Sequence, residues 1–150
     1  MKKMTVLLFM FIIIIGLTAC VNGNADASDI SDGNDMTIKL ELDKDYDDTD
    51  PFVNEKLFCV TENLDSLIAE GTLNLVGESI VLEVKNNKTN EVLWSKTWEE
   101  DVKSEPVSIS LENLKTDDEY VVCLTGIKID YAVLEITFDS NFVQERAMPL

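Results

Sequence analysis

The pattern of apolar and polar positions divides the chain into three unlike stretches. Residues 4–17 form an apolar run that includes four consecutive isoleucines, Ile12 to Ile15. Val21 to Met36 carries Asn, Gly, Ala, Ser and Asp, with almost no large apolar side chain. From Thr37 the texture changes to alternation. Thr37-Ile38-Lys39-Leu40-Glu41-Leu42 puts Ile38, Leu40 and Leu42 on one face, the period-two signature of a half-buried strand. The same signature recurs at Leu73 and Leu75, at Ile80, Leu82 and Val84, and at Val107, Ile109 and Leu111 after Pro106, while Glu91 to Trp98 reads as a returning strand. Glu119–Lys128 and Tyr131–Asp139 read as a final hairpin, with Ala132, Leu134, Ile136 and Phe138 sharing one face. Asn86 to Asn90 is a turn by its Asn and Thr content. Short strands spaced by about ten residues predict an all-β chain, built as an antiparallel sandwich or barrel.

One segment supports two readings. Leu57, Val60, Leu64, Leu67 and Ile68 fit helical spacing, with Asp50-Pro51 as the start signal and Gly71 as the stop. Phe58, Cys59, Val60 and Thr61 favour a strand. The strand is the preferred reading for Leu57–Leu64.

The apolar run at the start is 14 residues long and follows Lys2 and Lys3. A bilayer-spanning helix needs about 20 residues. A shorter apolar stretch behind a basic start reads as an export signal. Its end, Leu17-Thr18-Ala19-Cys20, resembles the lipobox of bacterial lipoproteins. The resemblance implies that the Cys20 thiol receives a diacylglycerol and that the leader is cut before it. Two acyl chains convert marginal membrane binding into stable anchoring. The organisation expected is therefore a signal peptide at 1–19, a lipidated cysteine and tether at 20–36, and a β-domain at 37–150. The tether cannot bury enough surface to offset its ordering entropy, so it is expected to be disordered, with a reach of about 20–25 Å. As a whole the chain resembles small lipoproteins of Gram-positive bacteria, a likeness that brings no activity with it.

Charge narrows the function classes. The chain has 29 acidic and 12 basic side chains, no histidine, and a formal charge of −17. Loss of the leader would take Lys2 and Lys3 with it, leaving ten basic residues and a formal −19. Such a body repels a phosphate backbone, which excludes nucleic acid as a partner. It also stands off anionic lipid headgroups. Without histidine there is no imidazole base, shuttle or metal ligand.

Leu114-Lys115-Thr116-Asp117-Asp118-Glu119-Tyr120-Val121-Val122-Cys123-Leu124 resembles the corner leading into strand F of a fibronectin type III module. The resemblance implies an immunoglobulin-like or fibronectin type III-like sandwich. It also implies that the Tyr120 hydroxyl folds back onto the backbone upstream. In the immunoglobulin pattern the bridging cysteine stands two residues after the tyrosine, which here is Val122. Cys123 is one residue out and faces the other way from Tyr120. Cys59 and Cys123 are the cysteines left after lipidation, and export favours oxidation. A bridge closing a loop of that length would contribute about 4 kcal/mol. A disulfide and two free thiols both stay open at this point. A catalytic thiol has no histidine to activate it.

Two further groups are candidates. Asp43, Asp45 and Asp47, continued by Asp48 and Asp50, offer hard oxygens at alternate positions, as calcium requires. No glycine follows at the sixth position, and Asn54 stands where a bidentate glutamate belongs, so a solvated loop is preferred. Trp94 and Trp98 sit four apart. An exposed pair would stack sugars or grip a partner; the alternative puts Trp94 in the core and Trp98 over an edge. Nothing singles out a carboxylate pair, so an envelope hydrolase is the least supported reading. The function expected is a non-enzymatic binding module on the extracytoplasmic face of the cell membrane. Its ligand would be an envelope protein or glycan, with a carbohydrate- or calcium-dependent module as the alternative.

Overall fold

The structure, a computed structural model, describes residues 35–45 and 50–147. There the chain is strand and turn throughout. The strands are β1 (Thr37–Asp43), β2 (Phe52–Val60), β3 (Leu64–Asn86), β4 (Val92–Glu99), β5 (Val102–Leu114), β6 (Tyr120–Phe138) and β7 (Val143–Arg146). The expected cleavage site, Cys20 and most of the expected tether lie outside the described residues.

All seven strands join one antiparallel sheet. β3 and β6 form its spine, paired from Ala69↔Phe138 to Asn86↔Tyr120. Each serves two neighbours in turn. The first half of β3 pairs with β5 and the second half with β4. The first half of β6 pairs with β2, beyond which lies β7, and its second half pairs with β1. The sheet therefore has two lobes, β4-β3-β6-β2-β7 and β5-β3-β6-β1, which share the long strands.

The lobes close on each other. Phe58 is the register partner of Tyr120 at the start of β6, and their rings stack at 5.3 Å. The same Phe58 ring lies 4.9 Å from Phe138, the last residue of β6. A straight strand of nineteen residues would hold those ends ~60 Å apart. So β6 doubles over, and the inner faces of the two lobes meet across one core. Ile38 and Leu40 of β1, Leu73 and Leu82 of β3, Ile109 of β5 and Leu134 of β6 are all buried in that single cluster. The fold is the expected all-β antiparallel sandwich, made here by folding one sheet.

The crease is visible in the backbone. The β3–β6 register slips between Val76 and Gly77, where Val76 pairs with Tyr131 but Gly77 with Ile129. Gly77 has φ 153° and Lys128 has φ 49°. A Cβ on Gly77 would meet the Ile129 Cα and the Lys128 carbonyl oxygen at 2.8 Å, so only glycine fits there. Across the crease the buried set of β3 changes phase, from Leu67, Ala69, Leu73 and Leu75 to Ile80, Leu82 and Val84.

Several expected elements are revised. The final hairpin does not form: Glu119–Lys128 and Tyr131–Asp139 belong to one strand, β6. Leu73–Leu75 and Ile80–Val84 are likewise one strand, β3. The helical alternative for the Leu57–Ile68 stretch gives way to strand, but the chain turns at Thr61–Asn63, so Leu64 opens β3 rather than closing β2. Gly71 is no helix stop. It lies in mid-sheet between Val107 and Ile136, where a Cβ would run into the Glu135 carbonyl. Pro106 sits inside β5 rather than opening it, which an edge strand tolerates.

Candidate functional site

The crease leaves apolar side chains on the outside. Asp43 of β1, Tyr131 of β6 and Val76 of β3 are register partners on one rung, followed by a rung of Glu41, Val133 and Asn74. The next inner rung, Leu42, Ala132 and Leu75, is fully buried. Alternation therefore aims Tyr131 and Val76 outward. They are 42% and 44% exposed, and Ile127 and Val53 beside the crease are 41% and 55% exposed. Val53 is the partner of Thr125, two residues before Ile127.

Tyr131 stands between two grooves. One, of about 370 Å³, runs between β1 and β2 and is lined by Glu41, Asp43, Phe52, Val53 and Asn54 as well as Tyr131. The other, of about 470 Å³, is lined by Asn74, Val76, Asp101, Val102 and Lys103 together with Tyr131. Hydrogen bonds fix the walls. Asn54 Nδ2 donates to the Glu41 carbonyl at 2.8 Å, tying β2 to β1. The Gly77 N–H donates to Asp101 Oδ1, and the Ser104 N–H to Asn74 Oδ1, each at 2.9 Å. These hold the β4–β5 connection and the start of β5 against β3.

Carboxylates rim the surface together with Lys103, and three nearby lysines are already engaged. Lys39 pairs with Glu41 at 2.5 Å, Lys44 with Asp130 at 2.6 Å and Lys128 with Glu78 at 2.7 Å. In each case the carboxylate hydrogen bond raises the ammonium above its ordinary pKa. All three pairs are exposed, so they orient side chains more than they stabilise the fold. The arrangement suits recognition: a phenol ring with aliphatic flanks, set in a negative rim.

A family model described as Domain of unknown function (DUF4624) matches residues 22–150. The chain belongs to the DUF4624 family. No curated protein matches it.

In this DUF4624 chain the residues singled out by sequence fall elsewhere. The two indoles do not make an exposed platform. Trp98 is only 6% exposed and packs in the core, while Trp94 lies partly buried against it, the reverse of the core-and-edge roles expected. Both face inward because they pair with Ile80 and Val84 of the inner face. Lys96 between them lies 4.6 Å from the Trp98 ring, a cation–π contact.

Cys59 and Cys123 are both buried and both free, the second of the two alternatives. The register gives the reason. Cys123 pairs with Glu55, and Cys59 lies four residues further along β2, about 13 Å away. A disulfide needs Cα atoms within about 7 Å. Arg146 Nε instead donates to Cys59 Sγ at 3.1 Å. Burial pushes the Cys123 thiol above its ordinary pKa.

Of the proposed calcium ligands, Asp47 lies outside the described residues. Asp43 Oδ1 accepts the Asp45 N–H at 2.9 Å, a local turn. Among the described residues no group of three or more His, Cys, Asp or Glu is placed to hold a metal. Tyr131, Val76, Val53 and Ile127 were missed by the sequence reading. The signal for Tyr131 was present: it neighbours core-phase Ala132, so it is a large ring on the polar phase of its strand.

Proposed function

We propose that this DUF4624 chain is a lipid-anchored, extracytoplasmic, non-enzymatic binding module. The observation that carries the binding reading is the exposed Tyr131 surface, with aliphatic neighbours, a groove on either side and a carboxylate rim. Contiguous apolar area rimmed by polar groups marks interaction sites. The address rests on Leu17-Thr18-Ala19-Cys20 behind a basic, apolar leader. The Tyr120 hydroxyl, held at the Lys115 backbone, supports kinship with immunoglobulin-like and fibronectin type III sandwiches, which commonly serve adhesion.

Three measurements test this reading. Mass spectrometry of the chain from its native membrane should find Cys20 at the new N-terminus carrying a diacylglycerol. Crosslinking from position 131 in intact cells should give a discrete adduct. A bare Cys20 with the leader still attached would remove the anchor, and a purified chain with hydrolytic turnover abolished by one carboxylate substitution would remove the non-enzymatic reading.

A further inference from the structure

We propose that the Tyr131 surface docks a cationic, extended segment of a protein partner. The inference rests on reading the domain as a binding module and names what it binds. Shape and spacing come first. From β1 across β6 and β3 to β5 the surface spans three strand spacings, about 14 Å, the length of about four extended residues. Tyr131 sits within that span and borders both grooves, so a strand-like segment crossing the ring would enter each of them. Apolar side chains of such a segment would meet Val53 and Val76, which the fold leaves exposed.

Charge selects the partner. The grooves present Asp43 and Asp101 beside the ring, with Glu41 already paired to Lys39, within a chain of formal charge −17. Lys39, Lys44 and Lys128 around the crease are each paired to a carboxylate, and Lys103 on the wall of the second groove makes no ion pair among the described residues. Asp43 and Asp101 accept backbone N–H groups, which leaves their negative charge unneutralised by those contacts. A lysine or arginine on the partner would gain a carboxylate and the face of the Tyr131 ring together. An anionic segment would be repelled by the same rim.

The test uses the full chain in detergent micelles and three matched peptides of alternating apolar and charged positions. The charged positions are all lysine, all glutamine or all glutamate. Calorimetry should show binding by the lysine peptide, binding at least about tenfold weaker by the glutamine peptide and none by the glutamate peptide. Tyr131→Ser and Val76→Ser should each weaken the lysine peptide by about tenfold, as loss of a central anchor does. Glu112→Gln, on the far part of β5, should leave it unchanged. If Tyr131→Ser does not fold, Val76→Ser and Asp43→Asn carry the comparison. The proposal is overturned if no peptide binds, if all three bind alike, or if the lysine peptide binds the Val76 and Tyr131 variants as it binds the parent. A partner crosslinked in cells at another face, with no peptide binding here, would overturn this inference and leave the binding-module reading standing.

Discussion

Tyr120 Oη accepts the backbone N–H of Lys115 at 2.7 Å, across the turn that joins β5 to β6. The ring is buried and stacks on Phe58. One side chain thus closes the turn and anchors the start of the longest pairing in the sheet. Tyr120→Phe keeps the ring and leaves the Lys115 N–H without its acceptor. It should cost about 1–3 kcal/mol, read as a lower urea midpoint at unchanged slope. A change below a few tenths of a kcal/mol would show that the hydroxyl does not hold the turn.

The same group predicts an alkaline limit to stability. Burial raises the Tyr120 phenol above its ordinary pKa of 10.0, and burial raises Cys123 above 9.0. Both groups carry charge only when deprotonated, so the folded chain holds their protons more tightly than the unfolded chain does. Their contributions are fully present below the unfolded pKa values. They are lost as pH rises from those values toward the higher folded ones. Stability should therefore fall as pH climbs past about 9 and then 10. Tyr120→Phe should flatten the upper part of that fall and Cys123→Ala the lower part. Parallel profiles for parent and variants would contradict the assignment.

Gly71 makes the packing of three strands testable at one atom. It lies between Val107 and Ile136, and an added Cβ would collide with the Glu135 carbonyl and approach the Ile136 Cα to 2.7 Å. Those neighbours are backbone in a paired strand, so they cannot turn aside as a flexible side chain would. Gly71→Ala should destabilise by at least about 1–3 kcal/mol despite alanine's lower unfolded-state entropy. Thr72→Ala, next door and exposed, should stay within about 0.5 kcal/mol. Equal effects of the two substitutions in a thermal melt would argue against the close approach.

What the sequence disclosed follows from where alternation is clean. β1 alternates without fault, and every residue assigned inward, Ile38, Leu40 and Leu42, is buried. Alternation fails where the fold does something a straight strand cannot. At Val76–Ser79 the register slip changes the phase, so one strand reads as two. At Gly126–Asp130 a glycine and a positive-φ lysine look like a turn but form the crease of β6. Val121 and Cys123 are buried on the outer phase of β6, which blurs the period. The candidate site was hidden for the same reason. Its apolar side chains come from β2, β3 and β6, strands far apart in sequence, and only the pairing register brings Val76 beside Tyr131. The indole pair had a visible spacing, yet that spacing could not say which face of β4 would turn inward.

The cysteines give the last test, because the register and the proposed export pull in opposite directions. An oxidising compartment favours a bridge, but the pairing of Cys123 with Glu55 holds Cys59 about 13 Å away. Closing that gap would require β2 to slip four residues along β6. Such a slip would part Phe58 from Tyr120 and Leu57 from Val121, and each of those side chains is buried. The chain isolated from its native cells under non-reducing conditions should therefore yield Cys59 and Cys123 unmodified. After denaturation both should react with an alkylating reagent. Before denaturation both should be protected, Cys123 doubly so because burial keeps its thiol protonated. Cys59→Ala should also free the Arg146 guanidinium from its sulfur contact and loosen β7, seen as faster amide exchange over Val143–Arg146. A peptide joining Cys59 to Cys123 in the mass spectrum would overturn the β2–β6 register itself.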